Sequence, residues 1–251
     1  MIRQARICMF FLRQFLSVPY FIQLMAMTTI ATTLVHYAAY TAWGSITPTQ
    51  GWVRGGVIGM WTVTTTAAGI VGFERYKGTL VCLVLAPIGT LRVLAALVAS
   101  AALAGLGSFP LAWLTWAVAS GSWEFAAAGA PDWLRLIAGA LLLFVGCLSM
   151  SLSISALFVL TPHAIAYEEL LLVPVFIASG ILSTASRPGW IDVVSRMLPL
   201  RFPFDLMWGA PVTLGGFTAW VGVCALWFLL AYAAGTRALH LATRSGTLEV
   251  M

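Results

Sequence analysis

Charged side chains are scarce in this chain of 251 residues: only 8% are Asp, Glu, Lys or Arg, whereas 61% are hydrophobic. A soluble domain carries about 25% charged residues, because its surface must face water. The scarcity of charge therefore excludes a soluble globular domain and predicts a chain that faces lipid. In a soluble protein a net charge of +5 could indicate binding to nucleic acid. In a membrane protein the basic residues instead set the orientation of the spans, so we expect no nucleic-acid partner.

Cysteine shows no pattern, and lysine is almost missing. The four cysteines lie far apart in apolar stretches without a CxxC pair, which excludes the usual zinc sites and disulfide frameworks. The single lysine, Lys77, follows Tyr76 and precedes Gly78, so the phosphate-binding loop GxxxxGK[ST] cannot be formed. We expect no metal, no catalytic residue and no cofactor bound by this chain.

What the chain does have is six apolar stretches long enough to cross a bilayer, which takes about 20 helical residues. They predict an all-α membrane protein, a single domain over 1–251, with spans at about 19–43, 55–73, 91–118, 134–160, 165–183 and 214–234. Gly107 and Pro110 predict a kink or a break within the third span.

Residues 1–18 form a different kind of helix. Their polar side chains fall within an arc of about 100° when placed on a helix, and these are Arg3, Arg6, Arg13, Gln14 and Ser17. Because Arg13 interrupts the apolar run, the segment is not a cleavable signal. We predict an amphipathic helix lying in the membrane interface.

Basic residues and tryptophans near the span ends give an orientation with both termini in the cytoplasm. The predicted cytoplasmic set is Arg3, Arg6, Arg13, Arg75, Lys77, Arg92, Arg237 and Arg244, and the outer set is Arg54, Arg135, Arg187, Arg196 and Arg201. Tryptophans at predicted outer boundaries are Trp43, Trp52, Trp116, Trp123, Trp133, Trp190 and Trp208.

Small residues recur at the spacing that lets two helices approach closely. The pairs are Gly55 with Gly59 and Ala101 with Gly105. Glycine and alanine are also simply common in spans, so the pattern alone does not identify a dimer face.

The outer segment 184–213 is too apolar for an ordinary polar loop. Residues 190–199 are amphipathic, which predicts short helices that dip partway into the outer leaflet as a re-entrant segment. Such backbone is tolerated only where protein or a wet cavity shields it. Asp205 can pair there with Arg201 or Arg196.

The cytoplasmic segment 74–88 leaves the second span with charged residues and then becomes apolar. Thr79 can cap a short helix that ends near Pro87. Such a helix, parallel to the membrane, fits a cleft on a cytosolic partner. A positively charged anchor followed by a turn explains the same residues.

Two motifs resemble the permeases of type-2 ATP-binding-cassette (ABC) exporters. The first resembles their coupling-helix motif and comprises Glu74, Arg75, Lys77, Gly78, Thr79, Leu80, Leu83, Ala86 and Pro87. The second resembles the stretch after their fifth span and comprises Ser179, Gly180, Arg187, Pro188, Gly189, Trp190, Leu198, Pro199, Leu200 and Asp205. Val81 departs from the family, which has an acidic residue there.

The resemblance implies six spans, an interfacial helix, a cytoplasmic coupling helix at 74–88 and the re-entrant outer segment. It also implies a separate cytosolic ABC ATPase that binds ATP and Mg, a second permease copy, and contact with membrane lipid in a prokaryotic plasma membrane. The residues coupled to the ATPase would be Glu74, Arg75, Lys77, Gly78, Thr79, Leu80 and Leu83. The expected activity is outward transport of a hydrophobic or amphipathic substrate such as a drug, antibiotic, peptide or lipid-like molecule.

Charged residues in or beside spans are candidates for gating or for ion pairs. They are Glu168, Glu169, Arg187 and Asp205. His36, inside the first span, is either a hydrogen-bonded packing residue or a functional group.

Two other classes compete with the exporter. An ion-driven secondary transporter needs a charged relay at mid-membrane, for which His36 is the main candidate. An intramembrane protease of the CAAX type needs Glu-Glu-x-x-x-Arg, but Val173 stands at the arginine position. The three histidines also lack the spacing that such a site requires.

Overall fold

The computed structural model describes residues 2–44, 46–76, 89–121, 132–160, 173–175, 177–181 and 189–245. Over these residues the chain is all-helical without strands, which confirms the predicted class. The long elements are α1 (Ile2–Ser17), α2 (Pro19–Trp43), α3 (Pro48–Tyr76), α4 (Thr90–Gly105), α5 (Ser108–Ser120), α6 (Trp133–Leu160), α7 (Gly189–Arg196), α8 (Arg201–Met207) and α9 (Leu214–Ser245).

Four helical stretches in the described part of the chain are long and apolar enough to cross a membrane. They are Pro19–Trp43, Leu91–Ser120, Trp133–Phe158 and Leu214–Arg237. Helix α3 holds the predicted second span, and its 29 residues are more than a span needs. It is not among the four, and the side chains of its residues 70–76 lie outside the description. The predicted fifth span, 165–183, and the predicted coupling helix fall largely outside the described residues.

The predicted interruption of the third span is observed. Helix α4 ends at Gly105 and α5 begins at Ser108, and the backbone N–H of Gly107 donates to the Ala104 carbonyl at 2.9 Å in the connecting turn. Pro110 lies in the first turn of α5, where its missing N–H removes no helical hydrogen bond.

Helix α3 begins seven residues before the predicted span because a capping box starts it. The Gln50 N–H donates to Thr47 Oγ1 at 3.2 Å, while the Thr47 N–H donates to Gln50 Oε1 at 3.0 Å. Pro48 occupies the first helical position, where proline is favoured. The early start brings Arg54 into the helix, whereas the sequence analysis placed it in the outer set.

Helix α3 lies in the centre of the bundle, surrounded by α2, α4, α5 and α6. Every residue from 51 to 60 is buried. Its glycines set the approach of α2, because a Cβ at Gly55 would overlap Thr33 and one at Gly59 would overlap Thr29. The predicted small-residue pair therefore packs within the chain.

Helices α1 and α9 pack on different helices around α3. Helix α1 lies against α4 and buries Phe15, which stacks on Phe21 with ring centroids 4.3 Å apart. Helix α9 packs along α6, where Ser153 Oγ donates to the Trp227 carbonyl at 2.9 Å.

Candidate functional site

Residues 189–209, called the hairpin below, fold back against the middle of α6. Their two short helices meet at Met197–Leu200, and a Cβ on Gly146 of α6 would lie 2.7 Å from the Pro199 carbonyl oxygen. Gly146 is thirteen residues into α6, about 20 Å along the helix at 1.5 Å per residue. Gly139, one heptad earlier, accommodates Met207 as the chain returns toward the start of α6.

Two tryptophans of α9 bind the backbone where the hairpin turns. Trp220 Nε1 donates to the Pro199 carbonyl at 2.8 Å, and Trp227 Nε1 donates to the Met197 carbonyl at 3.0 Å. Both carbonyls lie beyond the end of α7, so helical hydrogen bonding does not satisfy them. The indoles therefore satisfy the backbone of the turn where it lies against the apolar helices α6 and α9.

Arg201 joins the two arms of the hairpin. Its Nη2 lies 2.6 Å from Asp192 Oδ1, and its Nη1 donates to the Asp192 carbonyl at 2.8 Å and to Ser195 Oγ at 2.9 Å. Its Nε donates to Asp205 Oδ2 at 3.3 Å. Of the two partners that the sequence offered for Asp205, the structure thus places Arg201 beside it.

Asp192 has a second cation beside it, since Arg196 Nη2 lies 2.7 Å from its Oδ2. The hydrogen bond from Arg201, reinforced by Arg196, holds the pKa of Asp192 below its ordinary value. The two arginines differ in burial: the side chain of Arg196 is 71% exposed and that of Arg201 is 20% exposed. The sequence pattern did not single out Asp192, which lies between these two arginines.

Arg54 connects the hairpin to the central helix. It is 1% exposed, and its guanidinium carbon lies 4.4 Å from the centroid of a Trp208 ring. A desolvated cation over an indole face is a favourable contact. The sequence did not single out Arg54, although the Thr47–Gln50 capping box could have placed it within α3.

The tryptophans of the predicted belt differ in burial, and Trp208 is half-buried. Trp43, Trp133 and Trp190 are exposed, as interface residues should be. Trp52 and Trp116 are instead buried in the core, where Trp52 packs against Trp133 with ring centroids 6.4 Å apart. Their assignment to a lipid-facing belt is therefore wrong, because helix packing encloses them. Trp123 lies outside the described residues.

The predicted coupling site is largely beyond what the structure describes. Glu74 and Arg75 belong to the last turn of α3, but their side chains are outside the description. The remaining candidates that lie outside the described residues are Lys77, Gly78, Thr79, Leu80, Leu83, Glu168, Glu169 and Arg187.

His36 is engaged with the backbone of its own helix. Its Nδ1–H donates to the Thr32 carbonyl at 2.7 Å. Within the described ranges, no group of three His, Cys, Asp or Glu side chains is placed to hold a metal ion.

The comparisons with known proteins leave the family open. No protein-family model matches the chain, and no curated protein matches it.

Proposed function

We propose that this chain is the membrane-spanning permease subunit of an ABC exporter, with ATP hydrolysed by a separate subunit. The observation that carries the proposal is the hairpin seated between α6 and α9, with its turn bound by Trp220 and Trp227. A half-re-entrant outer segment after the fifth span is what the resemblance to type-2 exporter permeases implies. The geometry of the hairpin supports that expectation, since its turn lies beside Gly146 in the middle of α6.

The proposed permease has six spans, of which α3 is the second and 165–183 supplies the fifth. Helix α3 is less apolar than the four candidate spans because it is enclosed by other helices, so glycine and threonine replace lipid-facing side chains. Its length is sufficient for a crossing.

Helix α3 also offers a route for coupling. It runs without a break from Pro48 to Tyr76. Arg54, which contacts Trp208, lies near its first end, and Glu74 lies near its last end, so one continuous helix connects the two residues. In the proposed mechanism, ATPase closure presses on the segment 74–88 and moves α3 as a rigid body. The hairpin then moves with α3 because Arg54 holds Trp208.

The proposed orientation puts both termini in the cytoplasm of a prokaryote and the complex in its plasma membrane. Exposed Arg6, Arg13, Arg92 and Arg237 lie on the proposed cytoplasmic side. Exposed Trp43 lies on the outer side. The complex contains a second permease copy and two ATPases, and it exports a hydrophobic or amphipathic substrate.

The test is purification of the tagged chain from its native membrane in mild detergent, followed by mass spectrometry of the proteins that accompany it. We expect a stoichiometric ATPase with a phosphate-binding loop. Gly78→Pro should abolish its recovery, and Glu74→Ala should weaken it. The control is Arg237→Gln, which removes an exposed charge on the same proposed side and should leave recovery unchanged.

Two outcomes would contradict the proposal. One is a chain that elutes alone from membranes in which such ATPases are demonstrably present. The other is equal recovery of the ATPase with Gly78→Pro and with the wild type, provided that both elute as folded protein.

Burial of Arg54 favours an ion-driven transporter as the second candidate, because ionisable residues within a membrane bundle mark ion or substrate pathways. In that case transport in proteoliposomes would follow an imposed ion gradient without ATP. Arg54→Gln would abolish that response. The exporter predicts no transport under a gradient alone.

A further inference from the structure

A cavity of about 240 Å³ lies between α4, α6 and α9, and no residue of the hairpin lines it. Leu91 and Leu94 of α4, Leu152 of α6 and Phe228 of α9 form much of its wall. None of its lining residues within the described ranges is charged. An ionised group would lose its hydration there without compensation, so the wall excludes charged ligands.

One buried polar side chain lies in this apolar wall. Ser155 lines the cavity and is 3% exposed, and its Oγ has no hydrogen-bond partner among the described residues. A buried hydroxyl without a partner is destabilising, because the hydration that it loses on folding is not replaced. A ligand oxygen placed in the cavity would remove this destabilisation by accepting the Ser155 O–H.

The cavity has an approach from the surface of the bundle. Tyr232, which lines it, is 66% exposed, and α9 carries many of the exposed apolar side chains of the chain. Because that face of α9 lies against lipid when the chain is in a membrane, a molecule dissolved in the bilayer can reach the cavity laterally.

We propose that this cavity binds a neutral, chain-like molecule whose single hydroxyl or carbonyl oxygen accepts a hydrogen bond from Ser155. The apolar wall takes the chain, and Ser155 selects the oxygenated molecule over a hydrocarbon of the same length. The site stands independently of ATPase coupling, and either a lipid or a transported molecule can supply this chemistry.

The test uses the full chain in phosphatidylcholine nanodiscs with a photoactivatable hexadecanol. Cross-links should map to peptides that contain Leu94 or Phe228. After correction for membrane partition, decanol should compete about five-fold better than decane, as one neutral hydrogen bond predicts. Ser155→Ala should abolish this difference.

Ser151 gives a matched control, because its Oγ is also buried without a hydrogen-bond partner among the described residues but does not line the cavity. Ser151→Ala should retain the preference for decanol. Ala231→Leu, which narrows the cavity, should reduce labelling at least five-fold, whereas Ala225→Leu on the exposed face of α9 should not.

Equal competition by decanol and decane in the wild type would overturn the proposal, as would identical behaviour of the two serine variants. Labelling that Ala231→Leu leaves intact would also overturn it. Extraction of the purified protein then identifies the source: a membrane lipid or another compound should be retained by the wild type and lost with Ala231→Leu. The site is also contradicted if no bound compound is extracted from either the wild type or Ala231→Leu and the probe labels neither protein.

Discussion

Helices α3 and α9 are both long enough to cross a membrane, yet they occupy opposite environments. Residues 51–60 of α3 are all buried, whereas α9 exposes apolar side chains along most of its length, among them Leu226, Leu229 and Leu230. Over its full length the enclosed helix is the less apolar of the two, because it carries more glycine and threonine. Close packing between membrane helices selects small residues, because glycine lets two backbones approach each other.

The largest expected effect comes from enlarging a glycine on the enclosed helix. Gly59→Leu should prevent normal folding, since even a Cβ there would overlap Thr29 and lie 2.9 Å from Ser108 Oγ. Fluorescence-detected size-exclusion chromatography should show aggregate in place of the folded peak. Gly222→Leu on α9 is the matched control, because a Cβ there meets nothing within 4 Å. Equal elution of the two variants would break the comparison between α3 and α9.

A smaller loss is expected when the cation of the enclosed helix is removed. Arg54→Leu should lower the free energy of unfolding by about 2 kcal/mol, as expected for loss of a desolvated cation–π contact. Thermal unfolding in detergent measures it, with the exposed Arg237→Gln as control, for which a change within about 0.5 kcal/mol is expected. If Trp208→Leu and Arg54→Leu act additively, the contact does not tie α3 to the hairpin.

Within the hairpin, Arg201 and Arg196 give the same comparison between an enclosed and an exposed position, because both bind Asp192. Arg201→Gln should destabilise the protein by about 2 kcal/mol, because its hydrogen bonds to charged and polar groups are half-buried. Arg196→Gln should cost less than about 0.5 kcal/mol, since its ion pair is solvent-exposed. Melting temperatures of the two variants give the comparison, and a larger loss for Arg196→Gln would refute the assignment of Arg201 as the central connection.

The smallest effect concerns pH. Because Arg201 lowers the pKa of Asp192 in the folded protein, the carboxylate stabilises the fold above its unfolded pKa of about 3.9 and loses this effect as pH falls through the folded value. The difference in melting temperature between wild type and Asp192→Asn should therefore be constant from about pH 5 to 8 and shrink below about pH 4. A difference that grows on acidification would contradict the ion pair.

The bounds of two helices were predicted almost to the residue. The predicted span 19–43 coincides with α2, and the predicted span 134–160 begins one residue after α6 does. Both start where local chemistry is explicit, with Pro19 at the first helical position and Asp132 accepting the Arg135 N–H at 3.3 Å. The start of α3 was missed because the capping box lies outside the apolar run.

Positions that depend on distant segments could not be predicted. The sequence offered Arg201 and Arg196 as equal partners for Asp205, and only the folding of the hairpin puts Arg201 between Asp192 and Asp205. Likewise, nothing local distinguishes Ser155 from Ser151, but only Ser155 faces the cavity against α4 and α9.

By itself the sequence determined that the chain is helical and apolar enough for a membrane, because composition and helix length decide contact with lipid. It also determined where α2 and α6 begin and where the third span breaks, since caps, Pro and Gly act within one turn. Only the tertiary structure decided that α3 is enclosed, that Arg54 and Trp52 are buried, and that Ser155 faces a cavity. The physical reason is that lipid and protein interior are equally apolar. Hydrophobicity therefore does not show which face of a helix contacts lipid and which face contacts other helices.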